Sequence, residues 1–101
     1  MRRSAVFLLW PAGTLAADLP GDPHAGEQFA REVCGVCHLV AEDAPDPSIG
    51  PSFYEVAEFP GTTEMSLRAF LQTPHATMPN LILTPQETDD VISYILTLKG
   101  G

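Results

Sequence analysis

The sequence predicts an all-α fold, with three to five helices and irregular connections in one domain of 101 residues. Apolar residues recur at helical spacing in several stretches, and residues that cap helices precede these stretches. Proline-rich segments separate them, and neither paired strands nor internal repeats are evident. A domain of this size buries a modest apolar area, so we expect it to need a cofactor or another covalent constraint.

The N-terminal segment resembles a secretory signal peptide. Two arginines give it a charged start, residues 5–10 are apolar, and residues 14–17 offer small side chains for cleavage. The apolar run is too short to cross a bilayer comfortably, which makes an uncleaved membrane anchor the weaker alternative. We therefore expect residues 1–17 to be removed and residues 18–101 to form the domain.

The first helix is predicted to run from Pro23 to about Val33. Asp22 fits the N-cap position, and Pro23 fits the first helical position, where its missing N–H costs no hydrogen bond. Gly26 falls on the apolar face, where it either permits close approach of another helix or is a tolerated weakness of about 1 kcal/mol relative to alanine. The apolar positions of this helix are Ala25, Phe29, Ala30 and Val33.

Three further helical segments are predicted after the first helix. Residues 39–51 contain three prolines and an acidic run, which indicates a loop, and residues 51–57 have room for one or two helical turns. A helix over residues 64–72 ends before the next proline. The strongest prediction covers residues 85–98, because a capping box and a proline at the first helical position mark its start. The residues of that start are Thr84, Pro85 and Glu87.

The chemistry of the chain concentrates in the pentapeptide Cys34-Gly35-Val36-Cys37-His38, which has the C-x-x-C-H spacing of a haem attachment motif. Each thiol can add to one vinyl group of a haem, giving two thioether bonds, and the adjacent histidine is held beneath the iron. The motif uses both cysteines of the chain, so no disulfide competes for them. We therefore expect one covalently bound haem c, attached through Cys34 and Cys37, with His38 as an iron ligand.

Two other uses of this spacing are less favoured. A dithiol redox motif belongs in an alternation of strands and helices, which this sequence lacks. A tetrahedral zinc ion could bind the thiols, but the neighbouring side chains of Cys37 and His38 point apart. His24 and His75 would then have to complete the zinc site.

The second axial position of the iron decides the type of function. A strong ligand there favours electron transfer, and an open position favours gas binding or catalysis. The candidates are Met78, Met65, His75 and His24. Met78 is favoured because Pro79 fixes the backbone after it, and because a thioether stabilises ferrous iron. Spacing alone leaves open that Met78 only fills a gap in the core.

The charge of the chain restricts its partners. Five basic residues stand against 13 acidic ones, and removal of Arg2 and Arg3 with the signal segment leaves 3 against 13, a net charge of −10. Nucleic acids and anionic lipids are bound mainly through basic residues, so neither is an expected partner. A redox protein with a basic docking face is the expected partner.

Several segments together resemble the small class I c-type cytochromes of the bacterial periplasm, over roughly residues 22–99. Residues 26–30 are similar to the first-helix motif of that family, whose glycine packs against an aromatic residue of the last helix, here Tyr94. Phe29 lies one residue further from the attachment motif than the aromatic of many members, and Ala30 takes the more usual position. Further similar segments are residues 50–53, Met78-Pro79 and residues 91–98.

The resemblance implies a class I cytochrome c fold around one haem, with Met78 as the sixth ligand and a hydrogen bond from His38 to the Pro51 carbonyl. It also implies transfer of single electrons between periplasmic redox proteins, with no small-molecule substrate, so we do not expect an enzyme. Two alternatives stay open: the haem subunit of a periplasmic dehydrogenase, and a haem sensor or peroxidase-like protein with a labile sixth ligand. Apolar residues expected to pack against the ring are Phe53, Leu67, Phe70, Leu71 and Leu81.

Overall fold

A computed structural model describes residues 19–73, residue 78 and residues 81–100. Within these residues the chain forms four α-helices and no strand, which confirms the predicted all-α class. The expected signal segment, residues 1–17, lies outside the described part of the chain. The helices are α1 (Pro23–Val33), α2 (Phe53–Glu58), α3 (Glu64–Leu71) and α4 (Pro85–Thr97), and a 3₁₀ turn (Cys34–Val36) follows α1 directly.

Helix α1 begins where the sequence predicts, because the Asp22 side chain accepts a hydrogen bond from the backbone N–H of His24 at 2.9 Å. Gly26 and Ala30 are its buried residues. The prediction that Ala25 belongs to the apolar face was wrong, since Ala25 is exposed. Residues four apart share a face of a helix, so Gly26 lies on the same face as the buried Ala30, whereas Ala25 does not.

Helix α4 is the longest helix and supplies much of the core. Its predicted capping box is formed: the Thr84 hydroxyl accepts from the Glu87 N–H at 3.0 Å, and the Glu87 carboxylate accepts from the Thr84 N–H at 2.9 Å. Residues 91–95 are all buried. None of the helices in the described ranges is long and apolar enough to cross a membrane.

Helices α1 and α4 cross at Gly26. A Cβ atom on Gly26 would lie 2.5 Å from the carbonyl carbon of Asp90 and 3.0 Å from the Cβ of Tyr94. The role of Gly26 is therefore the close approach of a second helix, which was one of the two interpretations of the sequence. The Asp22 N–H also donates to the Asp90 carboxylate at 2.9 Å, so the start of α1 is tied to the same point of α4.

Helices α2 and α3 are short, and each begins with its own capping box. Both match the predicted segments within two residues at either end. They bury Phe53, Ala57 and Leu67 against α4. Ile92 of α4 is fully buried in the same core, and full burial of such a side chain stabilises the fold by about 1.5–3 kcal/mol. The core residues of the described chain are Ala30, Val40, Phe53, Ala57, Leu67, Val91, Ile92, Tyr94 and Ile95.

Candidate functional site

The attachment motif lies at the end of α1, in the 3₁₀ turn. The backbone N–H groups of Cys37 and His38 both donate to the Cys34 carbonyl, at 3.1 and 2.9 Å, which closes the turn. Both thiols are free and half-buried, and Cys34 packs against the core. One short segment therefore presents the two thiols and the imidazole.

The His38 imidazole is held by the backbone of the loop before α2. Its Nδ1 atom lies 2.6 Å from the Pro51 carbonyl oxygen. A carbonyl oxygen can only accept, so Nδ1 carries the proton and Nε2 keeps a free lone pair. Histidines that bind metals usually donate their other N–H in this way, which orients the ring and makes it a stronger ligand. Haem c needs two thiols to form thioether bonds and an imidazole nitrogen to bind the iron, and Cys34, Cys37 and Nε2 of His38 fit these needs.

Two neighbours restrict the imidazole ring. A Cβ atom on Gly50 would lie 2.7 Å from Nδ1 and 2.9 Å from Nε2 of His38, so only glycine leaves room for the ring there. The Gly50 N–H donates to the Cys37 carbonyl at 2.7 Å, which holds the loop beside the motif. The ring of Phe53 also lies close, with its centroid 5.4 Å from that of His38 and an angle of 53° between the planes.

The other residues predicted to pack against the haem lie on α3 and before α4. Leu67 is buried, Leu71 and Leu81 are half-buried, and Phe70 is 47% exposed. A cavity of about 290 Å³ is lined by Leu71 and Leu81 together. Its lining does not include the two thiols or the imidazole, so this cavity and the attachment motif are separate features of the structure.

Among the candidates for the second axial position, Met78 is half-buried. Met65 is 79% exposed on α3, and His24 is exposed in the first turn of α1, which disfavours both as ligands of an enclosed iron. The rival His75 lies outside the described residues, as does Pro79. Of the described candidates, only Met78 is thus shielded enough to suit the role.

The environment of Cys34 disfavours the dithiol redox use of the motif. Burial raises the pKa of the Cys34 thiol to about 11. Dithiol redox sites instead tend to lower the pKa of a cysteine, because the thiolate is the reactive form. Within residues 19–73, 78 and 81–100, no three His, Cys, Asp or Glu side chains are placed to hold a metal ion. His75, which the zinc alternative requires, lies outside these residues.

The basic side chains of the described residues are all engaged within the chain. The guanidinium of Arg31 lowers the pKa of Asp43 through their hydrogen bond. In the same part of the chain, exposed acidic residues such as Glu32, Glu42 and Asp46 form no ion pair, so the surface of this part is negative. The contacts are Arg31 with Glu27 and Asp43, Arg68 with Glu64 and Asp89, and Lys99 with the Thr62 carbonyl.

Two contacts near the imidazole were not predicted from the sequence. They are the packing of Phe53 on His38 and a hydrogen bond from the Tyr94 hydroxyl to the Val40 carbonyl at 2.6 Å. The second joins residues 54 positions apart, and no local pattern marks such a pair. For Phe53, its place two residues after Pro51 was a usable signal, because the proline carbonyl fixes the imidazole nearby.

An all-α domain that presents C-x-x-C-H with its imidazole oriented by a carbonyl defines a protein with covalently attached haem. The chain is 33% identical over 98 residues to cytochrome c-552 of Bradyrhizobium diazoefficiens, and the match covers 96% of this chain and 94% of that protein. No protein-family model matches the chain, and no solved structure matches it. The chain belongs to the class I c-type cytochromes, which transfer electrons, and it carries covalently bound haem c.

Proposed function

We propose that this cytochrome is an exported one-electron carrier that exchanges electrons with other redox proteins and has no substrate of its own. The observation that carries the proposal is the His38 imidazole, which donates through Nδ1 to Pro51 at 2.6 Å and keeps Nε2 free beside two thiols. Haem c supplies the one-electron couple of its iron when bound. The protein supplies a fixed ligand orientation and apolar surroundings.

Each residue of the site has one role in this proposal. Cys34 and Cys37 would attach the haem, His38 and Met78 would bind its iron, and Pro51 orients His38. Apolar side chains exclude water from the ring, which keeps the iron closed to small molecules. These side chains are Phe53, Leu67, Phe70, Leu71 and Leu81.

Covalent attachment is tested on denaturing gels stained for haem peroxidase activity, where the protein should give a positive band. Cys34→Ala/Cys37→Ala should give none, and it should be poorly helical and protease-sensitive, because isolated helices of this length are marginal in water. Haem that is extracted by acidified organic solvent from the unmodified protein would contradict attachment through both thiols.

The assignment of Met78 as the sixth ligand is tested against His75. Met78→Ala should lower the reduction potential, remove the weak long-wavelength charge-transfer band of the oxidised protein, and open the reduced iron to carbon monoxide. His75→Ala is the matched control and should leave all three nearly unchanged. The reverse pattern makes His75 the ligand. Binding of carbon monoxide by the unmodified reduced protein would instead favour the sensor or peroxidase-like alternative.

The negative surface supports docking to a redox protein with a basic face. Arg31, Arg68 and Lys99 are already engaged within the chain, so little positive charge is left to contact a partner. Opposite charges steer such encounters over a range of about 8 Å at physiological ionic strength. Electron-transfer rates with a basic partner should therefore fall as salt rises.

A rate that stays flat or climbs with salt would reject electrostatic docking and leave apolar contact as the driving force. Val36 lies between the two attachment cysteines and is 70% exposed, and Ile49 is 70% exposed beside Gly50. The hydrogen bond between the Gly50 N–H and the Cys37 carbonyl joins the backbone directly after each of these two residues. Val36→Ser should then slow the reaction at every salt concentration.

Export rests on residues 1–17, whose charged start, apolar run and small residues resemble a signal peptide. A periplasmic fraction should contain a mature protein that begins at residue 17 or 18, as shown by intact mass. Haem protein found only in membranes, at full-length mass, would indicate a retained anchor. Co-purification with a catalytic chain would assign the protein to a dehydrogenase complex, whereas a free carrier should purify alone.

A further inference from the structure

Residues 38–40, which begin with His38, are held in place by three hydrogen bonds to residues distant in sequence. Each of the three residues takes part in one of these bonds, which leaves the segment little freedom to shift. The three bonds are His38 Nδ1 to the Pro51 carbonyl at 2.6 Å, the Phe53 N–H to the Leu39 carbonyl at 2.8 Å, and the Tyr94 hydroxyl to the Val40 carbonyl at 2.6 Å.

The aromatic rings of His38, Phe53 and Tyr94 lie next to one another in a column. The centroids of His38 and Phe53 are 5.4 Å apart at 53°, and those of Phe53 and Tyr94 are 6.5 Å apart at 47°. Tilted rings at 4.5–7 Å are a favourable aromatic arrangement. Phe53 and Tyr94 are each only 6% exposed, so the column passes through the core from α4 to the imidazole.

We propose that Phe53 and Tyr94 are positioning residues that set the plane of the His38 imidazole. The inference rests on the proposed role of His38 as an iron ligand. Phe53 acts directly by ring contact, and Tyr94 acts through Phe53 and through the Val40 carbonyl. Neither residue touches the iron, and neither takes part in electron transfer itself.

The physical reason is the number of constraints on the ring. The hydrogen bond to Pro51 fixes the position of Nδ1, but the ring can still rock about that contact. The position of Gly50 limits the rocking, because a Cβ atom there would lie within 3.0 Å of both ring nitrogens of His38. Phe53 is the second neighbouring group, and its own position is fixed by α2 and by Tyr94. Removal of the Phe53 ring therefore frees the imidazole to turn while its hydrogen bond is retained.

The experiment uses the haem-loaded protein and reads the imidazole plane directly. In oxidised low-spin haem, the orientation of an axial imidazole sets the pattern of hyperfine-shifted proton resonances of the haem methyl groups and of the ligand ring. Phe53→Leu should rearrange this pattern and speed the solvent exchange of the His38 Nδ1 proton. Tyr94→Phe keeps the ring of the column and loses only the hydroxyl, so it should give a smaller change.

Tyr54 offers matched controls, since it follows Phe53 on α2 and is half-buried. Tyr54→Leu and Tyr54→Phe should leave the resonance pattern and the proton exchange at wild-type values. The double variant Phe53→Leu/Tyr94→Phe should change the pattern by about the sum of the single changes, because Phe53→Leu removes the ring contact and Tyr94→Phe removes only the hydrogen bond to the Val40 carbonyl.

The inference is overturned if Phe53→Leu retains the wild-type pattern, or if the Tyr54 variants alter it equally. If Phe53→Leu does not fold, an unchanged pattern in Tyr94→Phe overturns it as well. Failure of the underlying function looks different. The wild-type protein would then show no imidazole resonances of His38 among the shifted signals, and His38 would not be a ligand.

Discussion

Two glycines of the described residues leave no room for a side chain, and they serve different purposes. At the crossing of α1 and α4, a Cβ on Gly26 would lie 2.5 Å from the carbonyl carbon of Asp90, which is backbone. In the loop beside the attachment motif, a Cβ on Gly50 would lie 2.7 and 2.9 Å from the ring nitrogens of His38, which is a side chain. The first contact joins two helices, and the second joins a loop to His38, the proposed iron ligand.

The nature of the opposing group decides what each contact controls. A helix backbone cannot move without disturbing its own hydrogen bonds, so a larger residue at Gly26 must push the helices apart. An imidazole can turn about its side-chain bonds, so a larger residue at Gly50 displaces the ring and leaves the helices in place. We therefore expect the helix crossing to control the stability of the fold, and the loop to control the orientation of the His38 ring.

Gly26→Ala should have the largest effect on stability. Alanine gains about 1 kcal/mol of helix propensity over glycine, but overpacking against a rigid backbone costs about 3 kcal/mol or more, so the net change is a loss of roughly 2 kcal/mol. Guanidinium denaturation followed by far-ultraviolet circular dichroism should show a lower midpoint. Gly61→Ala is the control, because its Cβ would meet only the Phe59 ring at 3.8 Å, and it should stay within about 0.5 kcal/mol of wild type.

A denaturation midpoint for Gly26→Ala at or above that of Gly61→Ala would contradict the claim that the helix crossing at Gly26 controls stability. It would mean that α4 can move away from α1 at low cost. The hydrogen bond between the Asp22 N–H and the Asp90 carboxylate would then be the main link between the two helices.

Gly50→Ala should change the haem more than the fold. Displacement of the ring weakens the hydrogen bond from His38 to Pro51, a loss of about 1 kcal/mol, so the denaturation midpoint should fall less than in Gly26→Ala. The oxidised protein should gain a high-spin fraction in its optical and electron paramagnetic resonance spectra. Gly35→Ala is the matched control within the motif, since its Cβ would lie 3.6 Å from the Ala30 carbonyl in ordinary contact. A wild-type spectrum for Gly50→Ala would contradict the role given to this loop.

Much of the fold could be predicted because its signals are local. Capping residues and proline at the first helical position set the starts of α1 and α4, and helical periodicity set their extent. Close approach at Gly26 was one of two interpretations of the sequence, and periodicity placed its exposed neighbour Ala25 on the apolar face. Ala25 was assigned to the wrong face by a single position, because helical spacing alone does not fix which residues lie at the edge of an apolar stripe.

The surroundings of the imidazole were less predictable because their contacts are distant in sequence. The C-x-x-C-H motif is local, so the attachment residues could be proposed at once. By contrast, the bond from Tyr94 to Val40 spans 54 positions, and the pair of Arg31 and Asp43 spans 12. Such contacts depend on how α4 and the loop pack around α1, which no pattern in a short window encodes.

Tyr94 lies at the crossing of α1 and α4, and its hydroxyl bonds to Val40 near His38, so it connects the helix crossing with the surroundings of the imidazole. The pH dependence of stability in Tyr94 variants should therefore show how strongly the two regions are connected. Burial, and next the negative charge of Glu27, raise the pKa of Tyr94 to about 12, above the value of about 10 in an unfolded chain. A raised folded pKa means that its contribution to stability is complete below about pH 10 and is lost as pH rises through about 12. The denaturation midpoint should fall across this window. Tyr94→Phe should lack this part of the slope, whereas Tyr54→Phe should keep it, and equal slopes in both would contradict the assignment.

The ion pair of Arg31 and Asp43 connects α1 with the loop at the protein surface, and its loss should have the smallest effect on stability. Arg31 on α1 contacts Asp43 of the loop at 2.7 Å, and this hydrogen bond lowers the pKa of Asp43. A lowered folded pKa means that the contribution is present above the ordinary carboxyl pKa and is lost as pH falls through the folded value.

The difference in denaturation midpoint between wild type and Asp43→Asn should therefore be small at pH 7, shrink at high salt and close in acid. Glu42→Gln removes an exposed neighbouring charge and should show no such difference at either pH. If the Asp43→Asn difference persists in acid, or if Glu42→Gln matches it, the ion pair does not connect α1 to the loop. The buried bond from Tyr94 to Val40 would then be the stronger support for the segment that carries His38, because a buried hydrogen bond is shielded from both salt and solvent.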